Sequence, residues 1–183
     1  MVDKIKYIAI LRGINVGGNK LIKMDSLRLM LENIGFENVK SYIQSGNLIF
    51  NYKLSDCKIL AQNISDKIKE LLFFDVPVIV LGINELEKIY ESNPFLKILE
   101  LDISYLHITF LSDVPKNEKL LLLQKDFDNI EFKIINKSVY LFCPYGYSKS
   151  KLTNSLLEKK LNVTATTRNL KTVIELIKMA KSN

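Results

Sequence analysis

Two polar, glycine-bearing segments near the N-terminus hold residue types suited to binding chemistry. One runs Arg12-Gly13-Ile14-Asn15-Val16-Gly17-Gly18-Asn19-Lys20, and the other is Gln44-Ser45-Gly46-Asn47. Glycine permits backbone shapes that other residues resist, while Arg, Asn, Gln, Ser and Lys supply donors and acceptors. Arg12, Gly13, Asn15, Gly17, Gly18, Asn19 and Lys20, with Gln44, Ser45 and Asn47, are therefore candidate ligand-binding residues. The competing reading is that these side chains close two tight loops onto their own backbones. A second candidate anion site lies toward the C-terminus, with Lys149, Ser150 and Lys151 in one segment and Thr167, Arg168 and Asn169 in another. Both segments read as leading into helices, whose N-termini carry free N–H groups and attract anions. Ordinary capping by Ser and Thr, with the lysines in solvent, is the alternative there.

Only Arg12, Arg28 and Arg168 are arginine among the 26 basic residues. The planar guanidinium grips carboxylate or phosphate bidentately, which an ammonium cannot do. Arg12 and Arg168 stand in polar segments, whereas Arg28 falls inside a helix and reads as a surface residue. Other chemistries find no pattern. Residues 13–20 superficially resemble a phosphate-binding P-loop, but Asn19 is inserted between Gly18 and Lys20, and Leu21 stands where the magnesium-binding hydroxyl belongs. Cys57 and Cys143 have no paired spacing, so neither a disulfide framework nor a zinc motif is expected. Cys143 and Ser45 are possible nucleophiles without a marked base. His107, the single histidine, reads as a packing or surface residue. No cofactor and no metal site are expected.

A net charge of +6 raises the question of nucleic acid. The basic excess is spread along the chain and interleaved with acids, as in Lys67-Ile68-Lys69-Glu70, which fits a solvated surface better. Hydrophobic residues make up 48% and charged residues 25%, ordinary proportions for a globular protein. No signal peptide or membrane-length apolar run is present, so a cytoplasmic protein is the expectation.

The elements that must position these residues read as one plan used twice. Strands are expected over Lys6–Leu11, Val39–Gln44, Asn47–Tyr52 and Pro77–Leu81, with Ser45-Gly46 as a two-residue turn. Leu27, Met30, Leu31 and Ile34 mark one helix, and Leu60, Ile64, Ile68 and Leu71 a second one capped by Asp56. The order βαββαβ is ferredoxin-like. It returns with strands over Tyr105–Leu111, residues 130–135, Ser138–Cys143 and Leu161–Thr166, and helices over Lys116–Phe127 and Lys151–Lys160. The run Leu120–Leu123 reads as a buried helix. A final helix carries Leu170, Val173, Ile174 and Ile177. The fold expected is α+β, with two ferredoxin-like subdomains and a C-terminal helix. They would span residues 1–82 and 104–183, with a helical linker over 83–103. Tyr7–Leu11 and Val76–Leu81 are apolar almost throughout, so those strands should be covered on both faces. In this topology the first two strands run parallel and end together, which brings the Arg12 loop to the Gln44–Asn47 hairpin. The third and fourth strands of the second half likewise end together, bringing residues 144–151 to Thr166–Asn169.

Ile10-Leu11-Arg12-Gly13-Ile14-Asn15-Val16-Gly17-Gly18, Tyr42-Ile43-Gln44-Ser45-Gly46-Asn47 and Thr166-Thr167-Arg168-Asn169 resemble the bacterial domain of unknown function (DUF) 1697 family, as does Ser150-Lys151-Leu152. The resemblance covers nearly the whole chain and implies two α/β subdomains of related topology. The family usually has Trp after the Arg-Asn pair, where this chain has Leu170. The resemblance supplies no activity. From the residues, the leading expectation is a protein that binds a phosphate- or carboxylate-bearing small molecule, a nucleotide among the candidates. The alternatives are a metal-independent enzyme acting on such a ligand, and a basic nucleic-acid-binding or protein-interaction module.

Overall fold

The computed structural model describes residues 4–98, 100–127 and 131–182. The strands are β1 (Lys4–Leu11), β2 (Glu37–Tyr42), β3 (Asn47–Lys53), β4 (Val78–Gly82), β5 (Leu106–Leu111), β6 (Phe132–Ile135), β7 (Ser138–Phe142) and β8 (Ala165–Asn169). The helices are α1 (Met24–Glu32), α2 (Cys57–Leu72), α3 (Ile83–Glu91), α4 (Asn117–Asp126), α5 (Asn154–Leu161) and α6 (Leu170–Lys181). Two four-stranded sheets form, ordered β2-β3-β1-β4 and β6-β7-β5-β8, and every pairing is antiparallel. Each half is ferredoxin-like, and α6 is the additional C-terminal helix. The chain divides into two compact units, Met1–Glu87 with Leu176–Asn183, and Lys88–Glu175.

In the first unit, Tyr7, Ala9 and Leu11 of β1 join Leu48, Phe50 and Val80 in a core with α1 and α2. Alternation along a strand sends Ile8 and Ile10 to the opposite face, and they too are fully buried. Both faces of β1 are therefore covered, as its unbroken apolar run implies. Asp56 caps α2 by accepting from the N–H groups of Lys58 and Ile59. Leu60, Ile64 and Ile68 are buried, whereas Leu71, the fourth residue of the predicted stripe, is about half exposed. In the second unit, Leu111, Val139, Leu141 and Ala165 pack with Leu123, Leu152, Leu157 and Leu161.

Four local expectations change. The first hairpin closes on Tyr42 paired with Asn47, so Ile43-Gln44-Ser45-Gly46 is a four-residue loop rather than a two-residue turn. The second does turn on Asn136-Lys137, with Ile135 paired to Ser138. The last strand is not Leu161–Thr166. Leu161 ends α5, Asn162 closes that helix in the left-handed conformation, and β8 follows at Ala165–Asn169. Arg168 consequently lies within a strand, not in a turn. Of the four consecutive leucines only Leu123 is buried, while Leu121 and Leu122 are about two-thirds exposed. A helix laid on one side of a sheet buries one stripe, and four successive residues sweep far beyond it. Residue 130, part of an expected strand, lies outside the described residues.

Candidate functional site

The loop after β1 and the β2–β3 hairpin meet, as parallel β1 and β2 require. The Leu11 N–H donates to the Gly46 carbonyl at 2.8 Å, and the Arg12 N–H to the Pro77 carbonyl at 2.9 Å. Asn15 joins the two segments. Its Nδ2 donates to the carbonyls of Ile22 (2.9 Å) and Gln44 (2.8 Å), while its Oδ1 accepts from the Ile22 N–H at 2.8 Å. Asn47 is fully buried, and its Nδ2 donates to the Tyr42 carbonyl and Ser45 Oγ, both at 3.1 Å. Lys20 Nζ donates to the Asp75 carbonyl at 2.5 Å. The Asn19 N–H donates to the Val16 carbonyl, closing a turn over exposed Gly17 and Gly18. Gly46 explains the tight approach. Its φ is +80°, and a Cβ there would lie 2.8 Å from both Leu11 Cβ and Ile14 Cδ1. Gln44 and Gly13 are exposed, and Arg12 and Ser45 are partly buried. Most polar groups of this pair of loops are thus turned onto backbone.

In the second unit β7 and β8 run parallel on either side of β5 and end together. Tyr147, in the loop after β7, meets Thr167 there. Tyr147 stacks on His107 with ring centres 5.3 Å apart and planes at 24°, and its hydroxyl lies 3.0 Å from Thr167 Oγ1. Thr167 Oγ1 also lies 2.7 Å from Thr109 Oγ1 and 2.7 Å from Asn154 Oδ1. A hydroxyl has one proton and two lone pairs. The Asn154 oxygen can only accept, so Thr167 donates to it and both Thr109 and Tyr147 donate to Thr167. Asn169 is oriented in the same manner. Its Oδ1 accepts from the Lys171 N–H at 2.8 Å, and its Nδ2 donates to the Ser104 carbonyl at 2.8 Å and faces His107 Nε2 at 3.4 Å. His107 Nδ1 faces the Tyr105 carbonyl at 3.3 Å. Those partners assign the proton to Nδ1 and leave Nε2 as acceptor. Burial holds the His107 pKa below its ordinary value, in keeping with the neutral ring.

Arg168 is in register with Ile108, and Thr167 with Thr109, so alternation puts Arg168 on the sheet face opposite Thr167 and Asn169. Its side chain is buried and donates through Nη1 to Thr166 Oγ1 (3.1 Å) and the Thr167 carbonyl (2.8 Å). Desolvation lowers its pKa to about 10, so it stays charged at neutral pH. Lys149, Ser150 and Lys151 instead line an open cleft of about 400 Å³, together with Glu131, Phe142, Cys143, Pro144, Tyr145 and Gly146. Tyr145 is 81% exposed at this cleft. Gly146 has φ +89° and ψ 148°, a region essentially restricted to glycine, and it turns the chain between the aromatic and lysine-bearing parts of the wall. Glu131 is fixed beside them, since the Phe142 N–H donates to its carbonyl at 3.1 Å. Neither Lys149 nor Lys151 forms an ion pair among the described residues.

Sequence reasoning named the lysines but missed Phe142, Tyr145 and Gly146 as cleft residues. The signal was Tyr145-Gly146-Tyr147, two aromatic residues around a glycine in a polar loop. Burial raises the Cys143 thiol pKa, which keeps it protonated and weakens it as a nucleophile. Among the described residues, no group of three or more His, Cys, Asp or Glu side chains is placed to hold a metal ion. No described helix is long and apolar enough to cross a membrane.

The model of the family described as "Protein of unknown function (DUF1697)" matches residues 5–140. Among solved structures, the conserved bacterial protein SP0830 from Streptococcus pneumoniae is similar, with 25% sequence identity and a TM-score of 0.64. That likeness covers 98% of this chain and 100% of that one. Comparison with curated proteins gives no match.

Proposed function

The chain belongs to the DUF1697 family, and we propose that it is a cytoplasmic binding protein for a small anion. The ligand class is a molecule that joins a phosphate or carboxylate to a flat apolar body, a nucleotide being one instance. The cleft at the end of β7 is the observation that carries this reading. It combines an apolar wall of Phe142, Pro144 and Tyr145 with the ammonium groups of Lys149 and Lys151 and the Ser150 hydroxyl. Its volume of about 400 Å³ falls within the range of small-molecule sites. An aromatic wall favours a planar ring, and the two lysines favour the anion attached to it. Glu131 on the same rim can accept from a hydroxyl or amino group and disfavours ligands bearing a second charge at that end. In this reading the Arg12 loop and its hairpin build the first unit, and Thr167, Asn169 and Tyr147 hold the cleft loop in place.

The test is a thermal-shift panel of mononucleotides, sugar phosphates and aromatic carboxylates on the full chain. A true ligand at 100 times its dissociation constant stabilises by about 2.7 kcal/mol. Ring-bearing anions should raise the melting temperature, and the Lys149→Gln/Lys151→Gln double variant should lose that rise while melting normally without ligand. A panel in which nothing stabilises, or in which the double variant responds as wild type does, overturns the reading.

A further inference from the structure

A second cavity, of about 380 Å³, lies within the first unit and is lined by Lys6, Asn38, Lys40, Ile49, Asn51 and Met179. Strand register accounts for its composition. Lys6 of β1 pairs with Asn51 of β3, and Lys40 of β2 pairs with Ile49, which in turn pairs with Ile8. These residues share the sheet face that carries Ile8 and Ile10, away from the core with α1 and α2. An apolar face thus gives way to two ammonium groups and two carboxamides at one end. The pairing of β2 with β3 shifts register between Glu37 and Lys40, and Asn38 there has φ +51°. Such an irregularity re-aims a side chain, and here Asn38 lines the cavity.

Lys6 is held in place. Its Nζ donates to the Ala180 carbonyl at 2.6 Å, in the last turn of α6, where a cation is favoured by the helix dipole. An ammonium has three donors, so this bond leaves Lys6 capacity toward the cavity. Lys40 has no ion pair, and the side chains of Asn38 and Asn51 have no hydrogen-bond partner, among the described residues. Glu37, in register with Asn51, is engaged by Lys4 at 2.5 Å.

We propose that this cavity is an oxyanion site. A phosphate or carboxylate sits on Lys6 and Lys40, with the Asn38 and Asn51 amides as neutral donors and Ile49 and Met179 as an apolar wall. The site is separate from the cleft at the end of β7 and does not depend on that reading.

The test titrates inorganic phosphate into the ¹⁵N-labelled full chain at constant ionic strength, following backbone amide shifts. Saturable shifts are expected at Lys6, Asn38, Lys40 and Asn51. Lys40→Gln should weaken them about tenfold, the loss of one charge-assisted contact. Asn51→Asp should abolish them by placing a carboxylate opposite Lys6. Lys149→Gln/Lys151→Gln should leave them unchanged, so failure here is distinct from failure of the cleft. Lys40 is exposed, and its variant is expected to melt as wild type does. Shifts that rise linearly without saturating, that spread over all lysine-bearing surfaces, or that persist at full affinity in Lys40→Gln would overturn the proposal.

Discussion

The loop pair of the first unit and the cleft of the second arise from the same strand order, yet their polar groups are used differently. At the end of β1, Asn15 and Asn47 direct their amides to backbone carbonyls, and Gly46 brings the hairpin against Leu11 and Ile14. At the end of β7, the inner polar groups, Thr109, Thr167, Asn154 and Tyr147, likewise satisfy one another. An outer layer of Lys149, Lys151 and Tyr145 remains around open space, while Ser150 turns its Oγ to the Leu152 N–H. The difference separates two meanings of a polar glycine-bearing loop. Where the side chains reach backbone, the loop is architecture. Where that work is done by a layer underneath, the outer side chains are available to a ligand.

The harshest way to break the comparison is Gly46→Val. It places a β-branched residue at φ +80° and a Cβ within 2.8 Å of two core atoms. Backbone strain and overpacking each cost about 1–3 kcal/mol, so denaturant melts should show a loss of several kcal/mol. A loss below about 1 kcal/mol would mean the hairpin does not seat as described. Asn15→Ala removes one hydrogen bond that ties the loop to the hairpin at the Gln44 carbonyl and two that close the loop on Ile22. At about 1 kcal/mol each, partly recovered by water, it should cost about 2 kcal/mol without touching ligand affinity at the cleft.

In the second unit, Arg168→Lys keeps the charge but loses the fork that reaches Thr166 and the Thr167 carbonyl. A loss of about 1–2 kcal/mol is expected in the melt, with unchanged affinity in the folded fraction. Weakened affinity at unchanged stability would instead return Arg168 to the ligand. The smallest effect concerns His107. Its folded-state pKa is lowered by burial from the ordinary 6.5, so as pH falls the unfolded chain takes up this proton first. The resulting stability is fully present above about pH 6.5 and declines below it, no more steeply than about 1.4 kcal/mol per pH unit for one proton. Melts between pH 7.5 and 5 should therefore fall more steeply for wild type than for His107→Gln. Equal slopes would show that the imidazole does not sense burial.

How much of this was readable in advance depends on which physical signal each feature leaves. Strand order follows from apolar runs and turn residues, so the meeting of the Arg12 loop with the hairpin, and of Tyr147 with Thr167, could be deduced. The exact hairpin loop could not. Ile43 adopts φ +51°, a conformation that a β-branched residue rarely takes, and no local propensity announces it. The last strand was displaced because Leu161 and Val163 look like strand residues, while Asn162 in fact stops α5 and the strand runs through polar Thr166, Thr167 and Arg168. Threonine is a good strand former, so composition concealed Arg168 within the sheet. The layered use of polar groups is a tertiary property. Nothing in the residue string alone distinguishes Asn15, turned to backbone, from Lys149, turned to a cleft.

The most direct measurement is calorimetric titration with adenosine monophosphate, a probe that carries both a planar ring and a phosphate, on three proteins: wild type, Lys149→Gln/Lys151→Gln and Arg12→Gln. The account predicts saturable binding to wild type, at least tenfold weaker binding to the double lysine variant, as expected for lost charge-assisted contacts, and affinity within about twofold of wild type for Arg12→Gln. Binding that survives removal of both lysines but collapses with Arg12→Gln would place the ligand at the loop pair and contradict the account.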